Sequence, residues 1–138
     1  MIYVLFAVLA LSAGYLMLQG QGLFGLGGAA EGVARVGARE FQQRLESTPG
    51  AILVDVRTPG EYQEGHLSKS RLIPLDRLAE QAPGQLPDKN APLLVYCRSG
   101  NRSNTAAHIL KRMGYTNITD LSSGIIGWQR EGLKITHN

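Results

Sequence analysis

Two six-residue apolar runs constrain the fold more than anything else in this chain: AILVDV, Ala51–Val56, and PLLVYC, Pro92–Cys97. Each is bounded by turn residues and is too short for a stable helix. Neither alternates strictly between apolar and polar positions, so each reads as a strand covered on both faces. Strands of that kind belong to a sheet with helices on either side, and the segments between them have helical spacing. REFQQRLES places Phe41 and Leu45 four apart before Pro49 and Gly50 close it. DRLAEQA offers a second, brief helix that Pro83 and Gly84 are expected to stop. NRSNTAAHILKRMG is the clearest: Ala106, Ile109, Leu110 and Met113 share a face, Lys111 and Arg112 suit the negative C-terminal end, and Gly114 terminates it. RLIPL and NITDL are further strand candidates, GIIGWQREG a final turn and short helix, and RTPGEYQEGH is too punctuated for a long element. The alternation predicts an α/β domain with a mainly parallel sheet.

The first thirty residues are of another kind. No charged side chain occurs before Glu31, and MIYVLFAVLALSAGYLML is close to the roughly 20 apolar residues that cross a bilayer. The expected organisation is a transmembrane anchor over 1–20, a glycine-rich linker over 21–35 and a folded domain over 36–138. A cleaved secretory signal is the alternative, with LGGAAEG as the cleavage region and a periplasmic or secreted product. It lacks the usual basic start. A buried soluble helix fits poorly with apolar residues on all sides and no caps. Arg35, Arg39 and Arg44 follow the apolar span, which places the domain on the cytoplasmic side.

The formal charge of +3 comes from scattered basic residues. Arg35, Arg39, Arg77, Lys89, Arg130 and Lys134 read as ordinary solvated positions, so a nucleic-acid partner is not expected. A single cysteine excludes an intramolecular disulfide, and with three separated histidines it offers no metal cluster. No cofactor is implied.

That cysteine sits in VYCRSGNRS. A cysteine ending a strand is ordinarily a small buried hydrophobe. Three features set Cys97 apart: the strand end is where an open α/β sheet gathers its chemistry, a helix starts near Arg102, and Arg98 and Arg102 flank it. Backbone N–H groups and the positive helix end favour an anion there, Gly100 lets the loop curl, and Ser99 and Ser103 offer hydroxyls.

CRSGNRS resembles the active-site loop of the rhodanese family, sulfurtransferases whose cysteine carries sulfur as a persulfide. LVDVRTPGEYQEGHL, Leu53–Leu67, is similar to the family's first signature, RSNTAAHILKRMGY to the helix after the loop, and LSSGIIGW, Leu121–Trp128, to its closing turn and tryptophan. The match runs from about Val36 to Leu133 with the four motifs in the family's order. The resemblance implies a three-layer rhodanese-like domain. Cys97 would be the nucleophile, and Arg98, Ser99, Gly100, Asn101, Arg102 and Ser103 the cradle for its thiolate and persulfide. Asp55 and Arg57 would support the cradle, with Arg57 either a substrate contact or half of an ion pair. His66 resembles a packing and turn position, and Trp128 reads as core. The implied partners are a small anionic sulfur donor such as thiosulfate and a cyanide, thiol or protein acceptor.

Two departures affect local turns: Ser68, Lys69 and Ser70 replace the common Pro-Gly-Ala, and Ser123 precedes Gly124 where relatives often have a glycine pair. A cysteine phosphatase would need an arginine after five intervening residues, but position 103 is Ser. A docking or persulfide-relay module with little turnover remains the other reading.

Overall fold

The computed structural model describes residues 33–138; the apolar segment 1–20 and most of the expected linker lie outside the described residues. Within them, no helix is long and apolar enough to cross a membrane. Five strands form one parallel sheet: β1 (Val33–Val36), β2 (Ile52–Asp55), β3 (Arg71–Leu72), β4 (Leu93–Tyr96) and β5 (Ile118–Leu121). Their spatial order is β1-β5-β4-β2-β3. The helices are α1 (Ala38–Ser47), α2 (Pro59–Glu64), α3 (Leu78–Gln85), α4 (Asn101–Arg112) and α5 (Gly124–Arg130), with a 3₁₀ turn at Leu75–Arg77.

The two apolar runs are neighbours, Ile52 beside Leu93 through Asp55 beside Tyr96. Each supplies both faces of the sheet. Val54, Leu93 and Val95 pack with Leu78, Ala82, Ala106 and Leu110 under α3 and α4. Leu53, Leu94 and Tyr96 pack with Phe41, Ile125 and Trp128 under α1 and α5. The Trp128 indole meets the Phe41 ring edge-on, with centroids 6.4 Å apart, and donates to Lys134 O at 3.0 Å. After β2 the chain moves outward to β3, and after β4 it moves the other way to β5. The ends of β2 and β4 therefore border the crevice where an open α/β sheet binds its ligands.

Three local features differ from the sequence reading, and one short helix is added to it. The sheet begins at Val33, so the last residues assigned to the linker form an edge strand beside β5. RTPGEYQEGH contains a six-residue helix, started by a capping box in which the Thr58 hydroxyl accepts from Glu61 N and the Glu61 carboxylate accepts from Thr58 N. Pro83 does not stop α3: its ring lies on the exposed side, and Leu86 N still donates to Ala82 O at 2.7 Å. Lys89 is not simply solvated; its ammonium donates to Met113 O just past α4 and sits over the Tyr115 ring.

Both departures from the family turns have a structural account. Ser123 adopts φ −95°, open to any residue, so a second glycine is not required. Gly124 is needed: at φ +61° a Cβ would lie 2.1 Å from Arg98 O. Lys69, by contrast, is held at φ +67°, which a glycine would adopt without steric cost. Ser70 accepts a hydrogen bond from Tyr96 and donates to Leu67 O, while the Tyr96 hydroxyl accepts from Leu67 N.

Candidate active site

Cys97 follows β4 directly and points into the α4 side of the core, 1% exposed. The chain then turns through Arg98 and Ser99 to Gly100, whose φ of +100° opens α4. No side chain fits there, because a Cβ would meet Ser122 O at 2.1 Å. The turn brings Gly100 N–H to 3.1 Å from Cys97 Sγ, and the first turn of α4 places Ser103 Oγ 3.4 Å from the same sulfur. Ser103 donates onward to Gly100 O at 3.2 Å. Of the six loop residues in the sequence reading, these two hydrogen-bond the sulfur. Ser99 and Asn101 are exposed and form no hydrogen bond to it.

The arginines divide. Arg98 is exposed and forms no salt bridge among the described residues. Arg102 grips Glu61 with both terminal nitrogens, at 2.7 and 2.8 Å. The fork holds the Glu61 carboxyl at about 2, mainly through the Arg102 hydrogen bonds, with burial opposing and Thr58 assisting. The sequence reading gave Cys97 two full positive charges; Glu61 offsets one of them. Glu61 was not singled out in the sequence, although the Thr58-x-x-Glu61 spacing after Arg57 marks a capped helix start that would have fixed its position.

Arg57 is spent on Asp55. Its Nη2 lies 2.7 Å from Asp55 Oδ2 and its Nε 3.0 Å from Oδ1, while Nη2 also donates to Gly65 O at 2.8 Å. Burial works against the guanidinium charge, but the Asp55 hydrogen bonds and charge more than compensate and its pKa is raised. This buried pair ties the end of β2 to the turn before His66, with the guanidinium 5.6 Å from the Tyr96 ring. His66 stacks on Tyr62, centroids 3.6 Å apart, with its Nδ1 2.8 Å from Tyr62 O. Its backbone pairs with Thr136, so it fastens the C-terminal segment.

Arg35 corrects the sequence reading most. It is no ordinary solvated residue: it pairs across the β1–β5 ladder with Asp120, which is 0% exposed, at 3.2 Å. It also donates to Gly100 O at 3.3 Å. An open cleft of about 390 Å³ borders the loop, lined by Arg57, Glu61, Arg98, Ile125, Ile126 and Ile135 among others. Ile125 N donates to Cys97 O at 2.9 Å and Ile126 N to Arg98 O at 3.2 Å, so the cleft lies beside the cysteine loop while the sulfur stays beneath it.

Residues 37–131 match the model of the rhodanese-like domain. A protein named sulfurtransferase from Allochromatium vinosum is 36% identical over 103 residues, covering 75% of this chain and 94% of its own. The thiosulfate sulfurtransferase PspE of Escherichia coli is 42% identical over 65 residues, 47% of this chain and 62% of PspE. The crystal structure of a rhodanese-related protein from Thermoplasma volcanium superposes with a TM-score of 0.67 at 27% identity, covering 76% of this chain and 99% of that one. With a cysteine loop at the crevice of a parallel sheet and a family match over most of its length, the chain belongs to the rhodanese-like family.

Proposed function

We propose that this protein is a sulfurtransferase that takes a sulfane sulfur from an anionic donor such as thiosulfate, carries it on Cys97 as a persulfide and delivers it to cyanide or a thiol. The observation that carries this reading is the Gly100 N–H 3.1 Å from the Sγ of the chain's one cysteine, at the crevice of the sheet. Sulfurtransferase relatives support sulfur transfer in general.

In the first half-reaction the Cys97 thiolate attacks the outer sulfur of thiosulfate. A new S–S bond forms, the old one breaks, and sulfite leaves with its electron pair. In the second, the acceptor attacks the outer persulfide sulfur and Cys97 leaves as thiolate, a ping-pong cycle. Gly100 N–H stabilises the negative sulfur at the start and end of the cycle, joined by the Ser103 hydroxyl when it turns from Gly100 O to the sulfur. Arg98 at the cleft mouth supplies the positive charge that meets the donor. The apolar segment 1–20 serves as a membrane anchor with the domain on the cytoplasmic side, testable with a C-terminal topology reporter.

The test is intact mass spectrometry of the full chain and of Cys97→Ser after thiosulfate treatment, followed by cyanide and a thiocyanate assay. One added sulfur on the parent alone, discharged as thiocyanate, supports the reading. No adduct on folded protein refutes the thiosulfate route. Delivery to one protein thiol but not to cyanide would make the domain a persulfide relay.

A further inference from the structure

Glu61 is the charged residue beside the cysteine loop that the sulfur-transfer scheme leaves unused. Its two carboxylate oxygens receive both terminal nitrogens of Arg102, at 2.7 and 2.8 Å. Two parallel N–H donors meeting two oxygens is also the geometry in which an arginine grips an external oxyanion. Arg102 stands in the first turn of α4, between Gly100, whose N–H lies 3.1 Å from Cys97 Sγ, and Ser103, whose hydroxyl lies 3.4 Å from it. The guanidinium rooted between the two residues that touch the sulfur is thus filled by a side chain of the protein itself.

The remaining charges leave no surplus to offset this. Around the cleft, Arg57, Arg98 and Arg102 are balanced by Asp55, Glu61 and Glu64. The two ion pairs differ in one respect. Arg57 and Asp55 are 5% and 0% exposed, whereas Arg102 and Glu61 are 35% and 25% exposed and open to exchange. Solvent reaches the fork from two sides. Glu61 lines the cleft that holds Arg98, and Arg102 lines a second one, of about 420 Å³, with Val56, Thr58, Pro74 and Leu75. A displaced Glu61 also has somewhere to stay, because Thr58 N and Oγ1 lie 3.3 and 3.1 Å from its Oε1 at the start of α2.

We propose that Glu61 is a specificity-determining residue for the donor: its carboxylate occupies the Arg102 fork in the resting protein, and an anionic donor binds by taking that fork from it. This rests on the reading of the site as one that receives sulfur from an anionic donor. No covalent bond changes in the exchange; one oxyanion replaces another on the same guanidinium. Donor affinity is then a difference between two forks, so an anion with two oxygens to offer, as at the sulfonate end of thiosulfate, displaces the carboxylate and a halide does not. The Arg102 pKa is raised first by the Glu61 hydrogen bonds, against burial, and then by the charges of Glu61, Cys97 and Asp55. The guanidinium is therefore within electrostatic reach of the sulfur.

The experiment is a calorimetric titration of thiosulfate into the full chain in detergent. The protein carries Cys97→Ser, so that no sulfur is transferred, alone and with Glu61→Gln, Arg102→Met or both. Freeing the fork should tighten binding about tenfold, the size of one charge-assisted hydrogen bond, and Arg102→Met should abolish that gain. Equal affinity with and without Glu61→Gln, or no binding by either, overturns the proposal. So does a gain that survives Arg102→Met, which would be the plain effect of removing a negative charge. Should Glu61→Gln not fold, carbon-13 NMR of the Glu61 carboxyl in the Cys97→Ser protein decides. A resonance that moves with thiosulfate and not with sodium chloride of equal ionic strength supports the proposal, and one that stays in place overturns it. Binding is read without turnover. Affinity that depends on Glu61 beside a failed thiocyanate assay would remove the sulfur reading and keep the fork, and turnover with affinity independent of Glu61 would do the reverse.

Discussion

Replacing Glu61 with Gln tests whether the fork to Arg102 is an ion pair that stabilises the fold or only a surface contact. The substitution keeps an oxygen for Thr58 N and Oγ1, which lie 3.3 and 3.1 Å from Glu61 Oε1, and removes the charge that holds Arg102. A carboxyl held at about 2 in place of 4.5 corresponds to ~3.4 kcal/mol at neutral pH if wholly shielded. The two side chains are 25% and 35% exposed, and solvent screening reduces the expected loss to about 1–2 kcal/mol. The folded pKa lies below the unfolded one, so this stabilisation is complete above 4.5 and disappears as pH falls through about 2. Urea unfolding followed by the fluorescence of Trp128, the one tryptophan, measures the difference between natural protein and variant. It should be full at pH 7, narrow below 4.5 and vanish near 2. A gap that stays constant across that range would refute the reasoning, because loss of packing or of the α2 start does not follow the ionisation of one carboxyl.

Lys69→Gly should stabilise the domain by about 0.5 kcal/mol: relief of a left-handed conformation worth about 1–2 kcal/mol is partly offset by the greater freedom of glycine in the unfolded chain. A higher urea midpoint with unchanged slope is the expected result, and a lower midpoint would contradict it. Arg57→Met strands Asp55, 0% exposed, without its partner, and should cost about 3–5 kcal/mol. Adding Asp55→Asn should recover a large part of that loss in thermal unfolding, whereas additive losses would mean that the two side chains are not energetically paired.

The sheet and its helices were legible because their signals are local. A run such as LLVY declares burial on both faces within four residues, and the spacing of Ala106, Ile109, Leu110 and Met113 declares a helix face. VARV gave no such signal: it is four residues long, contains an arginine, follows a glycine-rich stretch and becomes a strand only because β5 pairs with it. Pro83 misled because the one helical bond it removes, to Ala79 O, falls on an exposed residue where water serves the carbonyl, and Leu86 N still closes the helix on Ala82 O.

The cysteine loop was legible as a motif, but its electrostatics were not. Counting arginines along CRSGNRS gives two positive charges beside the sulfur, while the fold sets Glu61, 41 residues away, against Arg102. It also turns Arg35, 85 residues from Asp120, from a surface charge into the group that fixes that carboxylate and the Gly100 carbonyl together. Each of these pairings joins strands or helices far apart in the chain, so no window of sequence contains both partners. The donor aimed at the sulfur is therefore the Gly100 N–H, short-range and held by a glycine that nothing larger can replace, while the Ser103 hydroxyl accepts from the sulfur. Arg98, exposed beside the cleft, is left without a salt bridge among the described residues. On the proposed sulfur-transfer reading, Arg98 would govern encounter with an anionic donor and the Gly100 N–H the charge on the sulfur.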